Sequence, residues 1–179
     1  MDTIDAIKSR RSIRKYKQLP VDRGLLKAVI WDASKAPPPF SGQRPWVFNV
    51  IEGPERISSY GRRAKQFAKE HRTEGPGWDW VDRADFEVFW NAPVLIIISG
   101  RVEDCCRAGQ NLMLSAHARG LGTCWVGSPM LWLRDAETQK ELRIPEGFEP
   151  VSAFCVGYPE QVPPPPKVEP PLIVWLDPN

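Results

Sequence analysis

The spacing of apolar residues along the chain predicts a succession of helices and strands without a regular alternation. Apolar positions recur at helical spacing in some segments and form short continuous or alternating runs in others. Helices are predicted over residues 3–9, 22–36, 54–70, 103–119 and 134–143. Strands are predicted over residues 46–51, 93–99, 123–127 and 151–157. Because this order is not a repeated βαβ unit, it predicts an α+β fold in a single domain spanning residues 1–179.

Two segments carry the strongest apolar signal and are predicted to form the centre of the fold. Residues 93–99 are apolar and rich in β-branched side chains, which is typical of a strand buried on both faces. Residues 103–119 form the most apolar predicted helix, and Gly120 follows at the position where helices commonly end on glycine. We therefore expect this helix to pack against the central strand.

Residues 73–91 combine glycine and proline with a cluster of aromatic rings. We expect a loop followed by an irregular aromatic helix, because the turn-forming residues come first and the rings follow without a clean period. The rings belong to Trp78, Trp80, Phe86, Phe89 and Trp90.

The C-terminal segment is rich in proline and ends on an apolar run. Prolines stiffen residues 163–166 and 170–171, and the apolar run of residues 172–176 follows. Such a segment cannot pack as an independent unit. We expect residues 168–179 to form an arm whose apolar strand reaches a second subunit.

Composition narrows the class of protein. The chain is 42% hydrophobic and 26% charged, with a formal net charge of +2, and this small net charge argues against general binding to nucleic acid or membranes. The first ten residues contain charged side chains and no apolar core of a signal peptide, and Val94–Ile98 is too short to span a bilayer. We expect a cytoplasmic protein.

The four cysteines indicate reduced thiols. Cys105 and Cys106 are adjacent, which disfavours a mutual disulfide, while Cys124 and Cys155 lie in predicted strands. No C-x-x-C pair occurs and there are only two histidines, which argues against a zinc site.

A basic tract, Lys8–Lys17, holds six cations and no acid in ten residues. Arginine offers a bidentate fork to phosphate oxygens, and Ser12 offers a short hydrogen bond, so the tract predicts a phosphate-binding site. The alternative is a solvated basic turn, since runs of charge often lie on the surface.

Four segments together resemble the nitroreductase family of FMN-dependent flavoproteins. They are IDAIKSRRSIRKY, APPPFSGQRPWVFNVI, GQNLMLSAHARGLGTCWVGS and VSAFCVGYPEQVPPPPK, and their order and spacing match the family along nearly the whole chain. The resemblance implies a central mixed or antiparallel sheet flanked by helices. It also implies a homodimer that exchanges C-terminal arms and binds FMN at the interface.

The resemblance assigns roles to the basic tract. By position, Arg10 and Ser12 would hold the FMN phosphate, and Arg11 would contact the phosphate or the ribityl chain. Arg14 would approach the flavin C2 carbonyl and N1, where a cation stabilises the negative charge of the reduced ring.

The second segment departs from the family pattern. Gly42 and Arg44 stand where the family usually has asparagine and glutamine. Arg44 would add a cation at the site, and Pro38, Pro39 and Ser41 would supply backbone contacts, whereas Trp46 is expected to be structural.

The last two segments would complete the cofactor site. The strand end formed by Trp125, Val126, Gly127 and Ser128 would bring backbone groups to the flavin ring, and a glycine there permits close approach. Lys167 would close over the phosphate, although Glu169 stands where the family often has arginine.

Three functions follow from these observations. The leading one is an NAD(P)H oxidoreductase that reduces nitroaromatic or quinone-like substrates by a ping-pong mechanism, with the aromatic rings of residues 78–90 as a wall of the site or, more conservatively, as core. The second keeps the flavin but fragments it, removes halogen reductively or lacks reductase activity, as the departures at Gly42 and Arg44 allow. The third is a non-enzymatic module that binds nucleic acid or a phosphorylated partner, against which the low net charge argues.

Overall fold

The computed structural model describes residues 1–38 and 45–176. Pro39, Ser41, Gly42 and Arg44 therefore lie outside the described residues. The helices are α1 (Thr3–Ser9), α2 (Arg23–Ala33), α3 (Pro54–His71), α4 (Asp79–Asp82), α5 (Val102–Ala118), α6 (Met130–Leu133) and α7 (Ala136–Glu141). The strands are β1 (Trp46–Glu52), β2 (Val94–Gly100), β3 (Gly122–Val126) and β4 (Pro150–Gly157).

The four strands form one sheet in the order β1-β2-β4-β3, and every neighbouring pair is antiparallel. In its register Leu95 of β2 faces Cys155 of β4, and Cys155 in turn faces Cys124 of β3. The predicted α+β class is confirmed, and within the described residues the sheet is antiparallel rather than mixed. β3 is an edge strand, which leaves one side of it open to another segment.

A hydrophobic core lies on each face of the sheet, because successive side chains of β2 point to opposite faces. Leu95 and Ile97 pack into the core that contains α3 and α6. Ile96 and Ile98 pack into the core that contains α2 and α5. The prediction that this strand is buried on both faces is confirmed.

Helix α5 lies directly against the sheet because Gly109 has no side chain. A Cβ at this position would lie 2.6 Å from Cζ of Phe154, whose ring fills the space between α5 and β4. On its other side, α5 is tied to α2, since Asp32 accepts hydrogen bonds from Ser115 at 2.6 Å and Arg119 at 2.7 Å. The helix predicted to be central, α5, thus packs against the sheet on one side and is tied to α2 on the other.

The short helix predicted over residues 134–143 forms as α7, which begins later because the side chain of Asp135 accepts a hydrogen bond from the Thr138 amide and caps it. The aromatic helix predicted before β2 is wrong. Only the single turn α4 forms, and Trp90 and Asn91 have φ of 54° and 50°, which a right-handed helix does not permit.

The C-terminal segment leaves the body of the chain after β4. Residues 161–176 form no helix or strand, so the strand predicted over residues 172–176 is not formed within the chain. The side chains of Leu172–Leu176 are 61–93% exposed. Among the described residues, no helix has the length and hydropathy that crossing a membrane requires.

Candidate functional site

The basic tract runs as an extended segment beside the open edge of β3. The Ile13 amide donates to the Thr123 carbonyl at 2.9 Å, and the Lys17 amide donates to the Tyr158 carbonyl at 2.9 Å. In return, the Glu160 amide donates to the Lys15 carbonyl at 3.0 Å. These backbone hydrogen bonds fix the tract against the sheet, so it is not a free surface turn.

The alternation of an extended chain separates the apolar and polar side chains of the tract. Ile13 is buried and packs on Gly122, where an added Cβ would lie 2.5 Å from Ile13 Cγ1. Ser12 and Arg14 flank Ile13 and therefore project to the opposite side. Gly122 thus allows the tract to approach β3 closely.

A groove of about 520 Å³ lies over this polar side of the tract. One wall is the basic tract with α1, and the other is the proline-rich segment that follows β4. No acidic residue is among the described residues that line it. The lining includes Arg10, Arg11, Ser12, Arg14, Pro163–Pro166 and Val168. The structure therefore brings together the four residues of the tract predicted to contact the cofactor, Arg10, Arg11 and Ser12 at its phosphate end and Arg14 at its ring.

Arg10 and Arg11 differ in what their guanidinium groups contact. Arg11 Nη1 donates to the carbonyls of Lys8 at 2.9 Å and Arg10 at 2.8 Å, at the C-terminal end of α1. Arg10 Nη1 is buried and has no hydrogen-bond partner in the described part of the chain. A buried donor without an acceptor is costly, and more so when it is charged. Arg10 is therefore the guanidinium that an incoming anion would satisfy.

Two further buried hydroxyls without partners among the described residues lie along β3. Thr123 Oγ1 lies at the end of β3 that pairs with the tract, and Ser128 Oγ lies just beyond its other end. Like Arg10 Nη1, these are polar atoms that folding has buried without an acceptor or donor within the described chain. A ligand lying along β3 could satisfy them.

The end of β3 is open in front of its backbone. Trp125 is 40% exposed and its ring packs on Phe154 at 5.3 Å between centroids, while Val126 is buried. Nothing lies within 4 Å of the position that a Cβ on Gly127 would occupy. Of the predicted ring-contacting residues, Gly127 therefore faces open space, as close approach of a planar ligand requires.

Arg14 lies between an aromatic ring and a thiol. Its Cζ is 5.6 Å from the centroid of the Trp90 ring. Burial raises the pKa of the Cys124 thiol, while the nearby cations of Arg14 and Arg10 act in the opposite direction. Sequence reasoning placed Trp90 in a general aromatic wall and missed this specific contact.

His117 on α5 is a second neighbour that the sequence did not reveal. Its Nε2 is 2.7 Å from Ser9 Oγ, and the Ser9 hydroxyl donates its proton to the Asp5 carbonyl at 2.6 Å. His117 Nε2 must therefore carry a hydrogen and donate to Ser9. Burial, followed by the cations of Arg10 and Arg11, lowers the pKa of His117, so the ring is neutral near pH 7.

The remaining predicted residues are less closely associated with the groove. Lys167 is exposed and is not among the residues lining the groove, although its neighbours Pro166 and Val168 are. Glu169 is exposed and Pro38 lies exposed at the edge of the described residues. The roles predicted for Lys167 and Pro38 stay predictions.

Another cavity, of about 560 Å³, lies between α3 and α7. Its lining mixes acids and bases, and Arg63 pairs there with both carboxylate oxygens of Glu141 at 2.9 and 2.6 Å. Among the described residues, none of those predicted for the site lines this cavity. The basic groove is therefore the better candidate.

Comparison with known proteins decides the family. A model of the nitroreductase family matches residues 7–158. The chain belongs to the nitroreductase family. A Methanothermobacter thermautotrophicus protein, provisionally named an NADH dehydrogenase/NAD(P)H nitroreductase, is 31% identical over an alignment covering 91% of this chain and 80% of that protein.

Solved structures share the fold of this nitroreductase family member. A Bacteroides fragilis nitroreductase with bound FMN superposes with a TM-score of 0.85 at 21% identity, covering 99% of this chain and 100% of the other. An oxidised iodotyrosine deiodinase bound to FMN and 3-iodo-L-tyrosine superposes with a TM-score of 0.76 at 23% identity, covering 98% of this chain and 99% of the other. At these identities the likeness shows the fold alone.

The residues present fit a flavin mononucleotide. Its phosphate requires cations and short hydrogen-bond donors, and the groove offers Arg10 with an unpartnered nitrogen beside Ser12. Its ring requires open backbone and polar contacts, and the end of β3 offers Gly127 and the unpartnered Ser128 hydroxyl. On this fit, the phosphate and the ring of a bound FMN would lie toward opposite ends of β3.

Proposed function

We propose that this nitroreductase family protein is an FMN-dependent NAD(P)H oxidoreductase that reduces nitroaromatic or quinone-like substrates by a ping-pong mechanism. The observation that carries the proposal is the buried, unpartnered Nη1 of Arg10 in an acid-free basic groove. A charged donor buried without an acceptor is retained at a cost that a bound phosphate would offset.

The chain's own residues divide the work of binding. Arg10 and Ser12 hold the phosphate, and Arg11 supports them because its guanidinium closes the end of α1 with two backbone contacts. Arg44 and the backbone of Pro38, Pro39 and Ser41 are proposed to approach the ring from the neighbouring loop. Lys167 is proposed to close over the phosphate from the proline-rich wall.

At the ring end, the residues orient the cofactor and set its charge environment. Trp125 and Val126 fix the end of β3, and Gly127 and Ser128 present backbone and a hydroxyl to the ring. Arg14 places a cation near the N1 edge, where it favours the reduced, negatively charged state. FMN, when bound, would supply the hydride-transfer chemistry between NAD(P)H and the substrate.

We propose a homodimer with FMN at the interface. The apolar side chains of Leu172–Leu176 are 61–93% exposed in the chain, and so large an exposed apolar surface is typical of an interaction site. The proline-stiffened segment before them holds the arm away from its own body. A second copy of the chain that packs against Leu172–Leu176 would bury these side chains.

A second candidate keeps FMN but changes the reaction. Gly42 and Arg44 replace the asparagine and glutamine expected in the loop that approaches the flavin. The loss of that asparagine favours a divergent activity, such as flavin fragmentation or reductive dehalogenation, or the absence of reductase activity. Turnover of NAD(P)H with a quinone separates the two candidates.

The test is an absorption spectrum of the purified, desalted protein, with FMN added if it emerges colourless. Flavin bands that bleach on addition of NADPH or NADH are the expected result. Bound flavin that neither cofactor bleaches would favour the second candidate, and reversion of Gly42→Asn and Arg44→Gln should then restore bleaching. No binding with excess FMN would overturn both.

A further inference from the structure

The turn before β2 contains two consecutive residues in the left-handed region of backbone conformation. Trp90 has φ of 54° and Asn91 has φ of 50°, and neither is glycine. A bulky residue rarely adopts this conformation, because it is strained for a residue with a side chain. The surrounding structure must therefore hold the turn in place.

Gln18, the residue directly after the basic tract, holds this turn. Gln18 Nε2 donates to the Asn91 carbonyl at 3.1 Å and to the Tyr16 carbonyl at 3.3 Å. Gln18 thus joins the turn to the segment that carries Arg14. Backbone hydrogen bonds from Trp90 to Glu87 at 3.2 Å and from Ala92 to Phe89 at 3.0 Å close the turn locally.

The strained turn directs the Trp90 ring toward Arg14. Phe86 packs edge-on against Trp90 at 5.3 Å between centroids and supports it. Arg14 Cζ lies 5.6 Å from the centroid of the same ring, within the range of a cation–π contact. Among the described residues, no carboxylate forms a salt bridge with Arg14. Its exposed guanidinium would otherwise retain much rotamer freedom.

We propose that Trp90 is a positioning residue that holds the Arg14 guanidinium for the pyrimidine end of FMN. This inference rests on the proposed function, because it requires that FMN occupy the groove. Trp90 acts through Arg14, and the pre-organised cation favours the reduced flavin over the oxidised flavin. Loss of the ring should therefore change the reduction potential of the bound flavin as well as its affinity.

The experiment measures FMN affinity and the reduction potential of bound FMN in full-length variants. We expect Trp90→Leu to weaken FMN binding about two- to fivefold, as loss of one cation–π contact implies, and to lower the potential. Trp90→Phe, which keeps a ring, should retain most of both properties. In an Arg14→Met background, Trp90→Leu should have no further effect on the potential.

Two comparison variants separate positioning from general packing. Trp31 on α2 has Lys35 Nζ 3.9 Å from its ring centroid, so Trp31→Leu removes a similar pair away from the groove and should leave affinity and potential unchanged. Arg10→Met should weaken FMN binding without moving the potential, because it acts on the phosphate.

The outcomes are distinguishable. Wild-type protein that fails to bind FMN overturns both this inference and the proposed function. Wild-type protein that binds FMN, with an unchanged potential in Trp90→Leu or with additive effects of Trp90→Leu and Arg14→Met, overturns the inference alone. If Trp90→Leu does not fold, Trp90→Met, which also lacks a ring, replaces it in the two Arg14 backgrounds and is judged by the same criterion.

Discussion

His117 Nε2 lies 2.7 Å from Ser9 Oγ and so joins α5 to the last residue of α1 by a hydrogen bond, although the two residues are 108 positions apart. Burial, followed by the neighbouring cations of Arg10 and Arg11, lowers the pKa of His117 in the folded chain. The environment of His117 therefore makes the stability of this region depend on pH.

We expect stability to fall as the pH drops below about 6.5, the usual pKa of histidine. Because the folded pKa is lowered, the unfolded chain takes up the proton first, and the contribution of neutral His117 is lost as the pH falls through its folded pKa. It is fully present above the unfolded value. Urea denaturation at pH 5, 6, 7 and 8 measures this dependence.

His117→Gln is the matched variant, since its amide nitrogen can still donate to Ser9 but does not titrate. Its unfolding free energy should change less between pH 7 and pH 5 than that of the wild type. If the unfolding free energies of both proteins depend on pH to the same extent, His117 is not the cause of that dependence.

Arg10→Met should leave the stability of the FMN-free protein unchanged or raised, and it should weaken FMN binding. Without ligand, the variant removes a buried donor that has no partner, so its stability should be equal to or above that of the wild type. With ligand, loss of a charge-assisted hydrogen bond should weaken FMN binding roughly 10- to 100-fold, since such bonds contribute about 1.5–3 kcal/mol. Calorimetric titration and thermal unfolding measure the two effects.

Arg11→Met provides the contrasting variant. Arg11 donates to the carbonyls of Lys8 and Arg10, so its loss should lower stability by about 1 kcal/mol through the end of α1. A stability loss in Arg10→Met that equals that in Arg11→Met would mean that Arg10 also serves the fold alone.

This difference between Arg10 and Arg11 illustrates what the sequence could provide. Two adjacent arginines in a basic tract predict a phosphate site, but sequence alone cannot tell which guanidinium closes a helix and which is left without an acceptor. Which guanidinium closes the helix depends on the direction that the backbone takes after Ser9 and on the position of α5 beside it. Likewise, the contact between Ser9 and His117 joins distant positions and has no local pattern.

The elements themselves were predictable where the pattern is local and strong. β2 carries a continuous apolar run and α5 a clear helical stripe, and both form as predicted. The short helix over residues 134–143 forms as α7, with its start set by the cap at Asp135. The aromatic helix failed because Trp90 and Asn91 adopt left-handed conformations, and residues other than glycine give no sequence signal for them.

Gly122→Ala should displace the basic tract from β3. The new Cβ would lie 2.5 Å from Ile13 Cγ1, and overpacking of this kind typically costs about 1–3 kcal/mol. Because Ser12 and Arg14 flank Ile13, FMN affinity should fall together with stability. Thermal unfolding and fluorescence titration with FMN measure both.

Gly109→Ala is the control for overpacking alone. Its Cβ would lie 2.6 Å from the Phe154 ring, at a similar clash distance but between α5 and β4 rather than at the tract. It should lower stability with a smaller loss of FMN affinity than Gly122→Ala. If the two variants lose affinity in proportion to stability, the approach of the tract to β3 has no separate role in binding.

Deletion of residues 168–179 should convert the proposed dimer to monomer and release FMN. The arm carries the exposed side chains of Leu172–Leu176, whose burial against a second copy would supply much of the apolar surface of the interface. Light scattering over a range of protein concentrations gives the mass, and the flavin absorbance retained after desalting gives the occupancy. Trp175→Asp in the full-length chain should shift both readouts in the same direction, because it places a charge in the same interface. A truncated protein that remains dimeric and yellow would show that the arm is dispensable for both assembly and flavin retention, and the interface would then have to be sought on the body of the chain.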